Sequence, residues 1–231
     1  MKNIYNHFLF PLSLSLIIFS CNDKENSETI QKTITLPEGV LYKLDMTAEN
    51  IEINWKAYKT NDRTPVLGEF SEFSSDRNGK EYERIEDLVG GLNFSISSLS
   101  SSSADDIRDL NLKNYFFKYF TDNFKINGTL GKPMNDSIDV YFDVLEKNNP
   151  IRFAYSTYLT TSKYSNKIIQ IKGTLNLVNQ FNGEAFNSIH KQCFDLHKGS
   201  DGISKTWEEV DVDIKVLVIN ETNPKFHKIK H

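Results

Sequence analysis

The chain has 231 residues, of which 39% are hydrophobic and 25% are charged. This composition is typical of a globular fold and excludes a disordered chain or a bundle of membrane-spanning helices. The net charge is −4, and no basic stretch follows the chain, which argues against nucleic-acid binding.

The first twenty residues have the features of an export signal. Lys2 supplies a positive charge, and the apolar run over residues 8–19 is too short to span a bilayer, which needs roughly 20 residues. Ile18-Phe19-Ser20-Cys21 resembles the lipobox of bacterial lipoproteins, although Phe19 is bulkier than is usual there. The resemblance implies cleavage before Cys21, lipidation of its thiol and amine, and firm membrane attachment through several acyl chains. An ordinary secretory signal with a chance cysteine is the alternative.

This interpretation divides the chain into four parts. Residues 1–20 are the signal peptide, residues 21–35 a flexible polar tether, residues 36–220 a β domain, and residues 221–231 a polar C-terminal tail. The chain has two cysteines, so acylation of Cys21 leaves Cys193 without a partner for an intrachain disulfide. Stability must then come from the core, which is feasible at this length.

From residue 40 onward, apolar residues recur with a period of two, as in strands with one wet and one dry face. The long alternating rows cover residues 51–58, 92–97, 138–144, 151–159, 169–177 and 210–218, with shorter candidates at 40–44, 67–73 and 124–130. Eight or nine strands of this kind predict an all-β fold, with an antiparallel sheet closed into a barrel or folded as a sandwich.

Two segments break this period and predict short helices that cap a barrel. Residues 103–117 have Ser103 as a plausible N-cap and two acidic residues, Asp105 and Asp106, in the first turn. Residues 185–196 have apolar side chains at spacings of three and four. One face of the first helix would carry Ile107, Leu110, Asn114 and Phe117. One face of the second would carry Phe186, Ile189, Cys193 and Leu196.

Three segments, taken in order, carry a family resemblance. They are Trp55–Thr60 with Val66–Phe70, then Leu92–Leu99 with Asp106–Leu112 and Tyr115–Phe117, then Cys193–Gly202 with Lys205–Trp207. Over roughly residues 36–220 the chain resembles the YceI-like family of bacterial periplasmic lipid-binding proteins, and the third segment resembles a lipoprotein branch. Asn111 departs from the family pattern, which usually has histidine at that position.

The resemblance implies an elongated lipocalin-like antiparallel β-barrel of about eight strands, with one or two short helices capping it and a polyisoprenoid or fatty-acid-like lipid inside. An eight-stranded barrel is just wide enough for its side chains or one small ligand. A buried tail gains about 0.8 kcal/mol for each methylene. The alternative is a filled core in a surface or periplasmic interaction lipoprotein without a small ligand.

Candidate ligand-binding residues follow from these expectations. The apolar residues proposed to line the cavity are Trp55, Phe70, Phe94, Ile96, Phe117, Phe142, Phe153, Tyr155 and Trp207. Strand alternation places Trp55 on the core side, while Trp207 is expected near one end of the barrel. Arg108 and Asp109 are candidates to hold a polar head group, or else form a surface ion pair at a helix.

His190, Cys193 and His197 lie at spacings of three and four, which on a helix can assemble metal ligands. The interpretation that we prefer puts Cys193 on the apolar stripe as a small buried hydrophobe, with no metal. The sequence has no Gly-x-Ser-x-Gly elbow, phosphate-binding glycine loop or His-Glu-x-x-His motif, so we expect no enzyme and no cofactor other than a lipid. The expected location is the bacterial cell envelope, on the periplasmic or surface face of the outer membrane, and a homodimer remains open.

Overall fold

A computed structural model describes residues 40–144, 149–160, 166–181 and 183–221. The predictions for the signal peptide, for Cys21, for the tether and for residues 222–231 lie outside these ranges. None of the helices within them has the length and apolar character needed to cross a bilayer.

The described residues form a β structure in which every strand pairing is antiparallel. The strands are β1 (Tyr42–Leu44), β2 (Ile51–Lys59), β3 (Thr64–Phe70), β4 (Phe73–Ser75), β5 (Glu81–Tyr82), β6 (Asn93–Ser97), β7 (Ser101–Ser102), β8 (Lys125–Leu130), β9 (Ser137–Phe142), β10 (Ile151–Leu159), β11 (Lys167–Asn176) and β12 (Glu209–Asn220). All nine predicted regions contain strand residues, although the candidate at 67–73 is divided between β3 and β4. The short strands β5 and β7 were not predicted.

The strand pairing runs around a ring. Two residues separate β3 from β4, and the 3-10 turn Ser98–Ser100 separates β6 from β7. We therefore treat β3 and β4 as one bent strand, and β6 and β7 as another. The two bent strands pair with each other, with Phe70 opposite Ser101 and Phe73 opposite Ile96. The order β6-β8-β9-β10-β11-β12-β2-β3 then returns to its start. With each bent strand counted once, the ring has eight strands, which confirms the predicted barrel.

The register of β2 and β12 shows why the alternating rows pack. Val216 lies opposite Ile51 and Val212 lies opposite Trp55, so apolar partners share the inner face. On the outer face, Lys215 lies opposite Glu52 and its ammonium is 2.8 Å from the carboxylate. A shift of one residue would move every apolar side chain to the solvent.

Helical segments lie at the ends of the barrel. The chain forms α1 (Ile85–Val89), α2 (Asp106–Leu112), a π-helical turn (Lys113–Phe117), α3 (Lys118–Phe120) and α4 (Glu184–Gln192), with further 3-10 turns at Ala48–Asn50 and Asp195–His197. The segment from α2 to α3 links β7 to β8, and α4 lies between β11 and β12. These two insertions leave the same end of the barrel, here called the helical end, and they contact each other.

The first helix differs from the prediction at both of its ends. Its N-cap is Asp105, whose carboxylate accepts the backbone N–H of Arg108, whereas Ser103 binds elsewhere. The helical backbone also continues past Phe117 to Phe120 through the π-helical turn. That turn changes the angular spacing of the residues that follow, so the expected shared face is split, with Ile107 72% exposed and Phe117 5% exposed.

Two further corrections come from short elements. Leu196 is exposed because α4 ends at Gln192, so Leu196 no longer shares a face with the buried Ile189 and Cys193. The helix α1 was not predicted, since five residues are too few to show a helical period. Its residues Ile85, Leu88 and Val89 are nevertheless fully buried.

Candidate functional site

The barrel encloses a cavity of about 540 Å³, within the range of roughly 300–1,000 Å³ found for small-molecule sites. Every second residue of β2 lines it, from Ile51 to Lys59. At about 3.3 Å per residue, these positions follow roughly 26 Å of strand. On the neighbouring β12, the lining residues are Val210, Val212, Ile214 and Val216. The cavity is therefore long, narrow and mostly apolar.

Aromatic rings lie flat against the barrel wall because glycines leave room beneath them. A β-carbon at Gly68 would come within 2.1 Å of the Trp55 ring, one at Gly173 within 2.3 Å of the Phe153 ring, and one at Gly128 within 2.6 Å of the Phe94 ring. Trp55 and Phe94 each lie directly opposite their glycine in the strand register. This arrangement stacks bulky residues over the wall and leaves the central space open.

Eight of the nine residues expected to line the cavity do so: Trp55, Phe70, Phe94, Ile96, Phe117, Phe142, Phe153 and Trp207. Tyr155 is the exception. It is buried in a core cluster with Leu88 and Val89 of α1, away from the cavity surface. Burial, with a smaller effect from Glu86, raises the pKa of Tyr155 to about 12. Because α1 was not predicted, the sequence did not show that this part of the interior is filled.

The two tryptophans occupy different parts of the cavity surface. Trp55 is 8% exposed and lies on the wall in β2. Trp207 is half-buried at the helical end, where its indole N–H donates to the carbonyl of Thr60 at 2.8 Å. The guanidinium of Arg63 lies 4.6 Å from the centre of the Trp207 ring.

The polar part of the cavity surface is at the helical end. Its lining there includes Tyr58, Lys59, Asp105, Arg108, Asn111, His197 and Thr206. Lys59 is joined to Thr206 by an antiparallel backbone bridge, which places their side chains on the same face. Lys59 and Thr206 were not predicted, since the lysine ends an apolar row and the threonine precedes a strand.

The two head-group candidates have different positions. Arg108 lines the cavity, with its guanidinium 3.1 Å from the Asp105 carboxylate and within hydrogen-bond distance of Ser103. Asp109 does not line it. The Asp109 carboxylate accepts the Ser103 backbone N–H at 2.9 Å and the Ser103 hydroxyl at 2.5 Å, so it holds the chain where it enters α2.

The two histidines that were considered as metal ligands share a different partner. The Nδ1 atoms of His190 and His197 lie 3.0 and 2.6 Å from the Thr206 hydroxyl oxygen. Cys193 is buried, and burial raises the pKa of its thiol. Within the described ranges, no three histidine, cysteine or acidic side chains are grouped as metal ligands.

His197 also reports on the electrostatics of this end. Burial is the main cause that lowers the pKa of His197 to about 4, and the positive charges of Lys59 and Arg108, together with nearby His190, lower it further. Lys59 and Arg108 are therefore both close enough to His197 to disfavour its protonated form.

Comparisons with known proteins give a match at the level of structure. No protein-family model matches the sequence, and no curated protein sequence matches it. A polyisoprenoid-binding domain from Saccharophagus degradans implicated in plant cell wall breakdown superposes with a TM-score of 0.52 at 12% identity, over 78% of this chain and 98% of that one.

Two other solved structures are similar at lower scores. Burkholderia cenocepacia BcnA has a TM-score of 0.45 at 12% identity, over 73% of this chain and 95% of that one. The Campylobacter jejuni YceI protein has a TM-score of 0.44 at 14% identity, over 68% and 86%. The match to the S. degradans domain shows that the barrel described here has the lipocalin-like fold expected from the YceI-like resemblance.

Proposed function

We propose that this protein is a lipid-anchored binding protein of the bacterial cell envelope that holds an isoprenoid or other long-chain amphiphile in its barrel and catalyses no reaction on it. The observation that carries the proposal is the apolar cavity along the full length of β2. Its shape suits a chain rather than a compact ligand. Each methylene buried there contributes about 0.8 kcal/mol, so a long tail has enough driving force to bind.

Two further observations support this proposal. The S. degradans domain that shares the fold is described as polyisoprenoid-binding, and three segments of this sequence resemble the YceI-like family. The alternative, an interaction lipoprotein with a filled core, requires the inner rows to pack on each other. The stacked rings over Gly68, Gly128 and Gly173 leave a cavity instead.

The test of binding uses the chain from residue 22 onward, secreted and purified without detergent. Native mass spectrometry and lipid extraction should find a bound amphiphile, and the stripped protein should take up a fluorescent prenyl or fatty-acid probe. Ala57→Phe narrows the cavity that Ala57 lines and should reduce uptake. Lys56→Gln changes the preceding residue, which pairs with Asp211 outside the cavity, and should leave uptake unchanged. A protein with no copurifying amphiphile and no probe uptake would contradict the proposal.

The anchor is tested separately in cells. The lipobox-like motif at Cys21 supports attachment to the outer membrane, on its periplasmic or surface face. Metabolic labelling with a clickable palmitate should mark the protein, and Cys21→Ala should abolish both the label and membrane fractionation. A labelled Cys21→Ala protein would show that the acyl chain is elsewhere.

A further inference from the structure

Lys59 differs from the other lysines on the strands around it. On the outer face, the ammonium groups of Lys56, Lys172 and Lys215 each lie about 3 Å from a carboxylate. The Lys59 side chain points into the cavity and is half-buried. Within the part of the chain that the structure describes, its ammonium has no ion pair and no hydrogen-bond acceptor. Partial burial of an unpaired charge is unfavourable, so this group is suited to an anionic partner from outside the chain.

Among the described residues, the cavity lining at the helical end offers no free carboxylate to fill that role. Among the described residues that line the cavity, the acidic one is Asp105. Its two oxygens already accept the backbone N–H and the guanidinium of Arg108, at 3.0 and 3.1 Å. The described cavity surface therefore carries two cationic groups, Lys59 and Arg108, and one carboxylate, Asp105, which is already paired with Arg108.

A second cation at the helical end adds donors suited to the same kind of group. Arg108 lines the cavity with its guanidinium held in place by Asp105 and Ser103. Thr206 lies beside Lys59 on the same face, but its hydroxyl already contacts His190 and His197. The opposite end of the cavity is lined by Leu44, Leu92 and Leu130, which offer nothing to a charged group. A bound amphiphile therefore has one orientation that satisfies both ends.

We infer that the cavity takes amphiphiles with an anionic head group, a carboxylate or a phosphate, which Lys59 and Arg108 hold at the helical end while the tail extends toward Leu44 and Leu92. This inference rests on the proposed function and specifies its ligand class. A neutral head group can accept a hydrogen bond from the Lys59 ammonium but leaves its charge without a counter-charge. An anionic head group supplies both the acceptor and the opposite charge, and pairs of this kind are among the stronger hydrogen bonds in proteins.

The experiment compares three ligands with one tail: farnesol, farnesoic acid and farnesyl phosphate. Their affinities for the chain from residue 22 onward are measured by displacement of the fluorescent prenyl probe. We expect at least one of the two anions to bind about tenfold tighter than farnesol. The tighter of the two identifies the head group as carboxylate or phosphate.

Variants test whether Lys59 causes the preference for anionic head groups over farnesol. Lys59→Met should remove most of the preference because it weakens binding of the anions far more than binding of farnesol, whereas Lys59→Arg should keep the preference. Lys172→Met, on the outer face, is the matched control and should behave as the unmodified protein. Circular dichroism of each variant establishes that it is folded.

The outcomes separate this inference from the proposed function. If the three ligands bind equally, the head-group site is wrong while the binding function stands. If Lys59→Met weakens farnesol as much as the anions, Lys59 supports the fold and the inference is overturned. If no ligand displaces the probe because the probe itself does not bind, the proposed function fails and the inference fails with it.

Discussion

The indole ring of Trp55 lies directly over Gly68, its partner on the neighbouring strand, where a β-carbon would come within 2.1 Å of the ring. Aromatic residues stacked on strand glycines recur in sheets because the ring covers the exposed backbone. Here the contact has a second effect. It keeps a large side chain against the wall, so the barrel holds both a tryptophan and an open interior.

Replacing Gly68 with alanine should push the indole toward the cavity. The new methyl group would also lie 2.7 Å from the Ser102 carbonyl oxygen, so both the ring and the backbone resist it. Overpacking of this kind costs about 1–3 kcal/mol. We expect a lower free energy of unfolding in urea and weaker probe uptake.

A double variant separates steric pressure on Trp55 from strain in the strand. Trp55→Ala removes the ring, so adding Gly68→Ala to that background should cost less than Gly68→Ala alone, with a coupling energy of about 0.5–3 kcal/mol. Additive effects would show that the clash with Ser102 dominates and that Trp55 does not press on the glycine.

Tryptophan emission should report occupation of the cavity. Trp55 lines the wall and is 8% exposed, while Trp207 is half-buried at one end beneath Arg63. A bound chain changes the surroundings of Trp55 more than those of Trp207. Adding farnesoic acid to the stripped protein should shift the emission, and Trp55→Phe should abolish most of the shift. Trp207→Phe is the control, and a shift that survives in Trp55→Phe would place the ligand away from β2.

His197 should make stability depend on pH in a defined window. Its pKa is lowered to about 4 in the folded protein, first by burial and then by Lys59 and its other neighbours, from an ordinary value of 6.5. Between these values the unfolded chain takes up a proton that the folded chain does not. The contribution of His197 to the free energy of unfolding is therefore complete above pH 6.5 and is lost as the pH falls toward 4. The loss is at most about 3 kcal/mol, and it is smaller where solvent screens the ring.

Urea unfolding at several pH values across this window measures the effect. His197→Gln should flatten the dependence between the two pKa values. It should leave a steeper loss at lower pH, where Asp139 and Asp211, whose pKa values are lowered in the fold, become protonated. A His197→Gln protein with the original slope would assign the dependence to other groups.

Asp109 should matter for stability and not for ligand affinity. Its carboxylate accepts the Ser103 backbone N–H and hydroxyl, and removing it leaves a half-buried donor unsatisfied. Asp109→Ala should therefore lower the free energy of unfolding by about 1–3 kcal/mol without changing probe affinity. Asp106→Ala, at an exposed position in the same helix, should cost less. A selective loss of anion binding in Asp109→Ala would restore Asp109 as a head-group residue.

Alternation along the sequence was enough to predict the barrel and most of its inner surface. A strand period of two assigns each residue to a face without reference to any other strand, so Trp55, Phe94 and Phe142 were placed inward correctly. The one misplaced aromatic, Tyr155, is also on the inner face. It differs because α1, which is too short to show a period, packs there with Leu88 and Val89.

The polar end of the cavity was decided by tertiary structure. Lys59, Arg108 and Thr206 are separated by dozens of residues. They share one surface because β12 pairs with β2 and both helical insertions leave the same end of the closed barrel. Local sequence carries no information on such distances, since each residue alone has an ordinary surface interpretation. The faces of the strands follow from the backbone of each strand by itself, whereas a charged group at the end of an apolar cavity exists only once the ring of strands has closed around it.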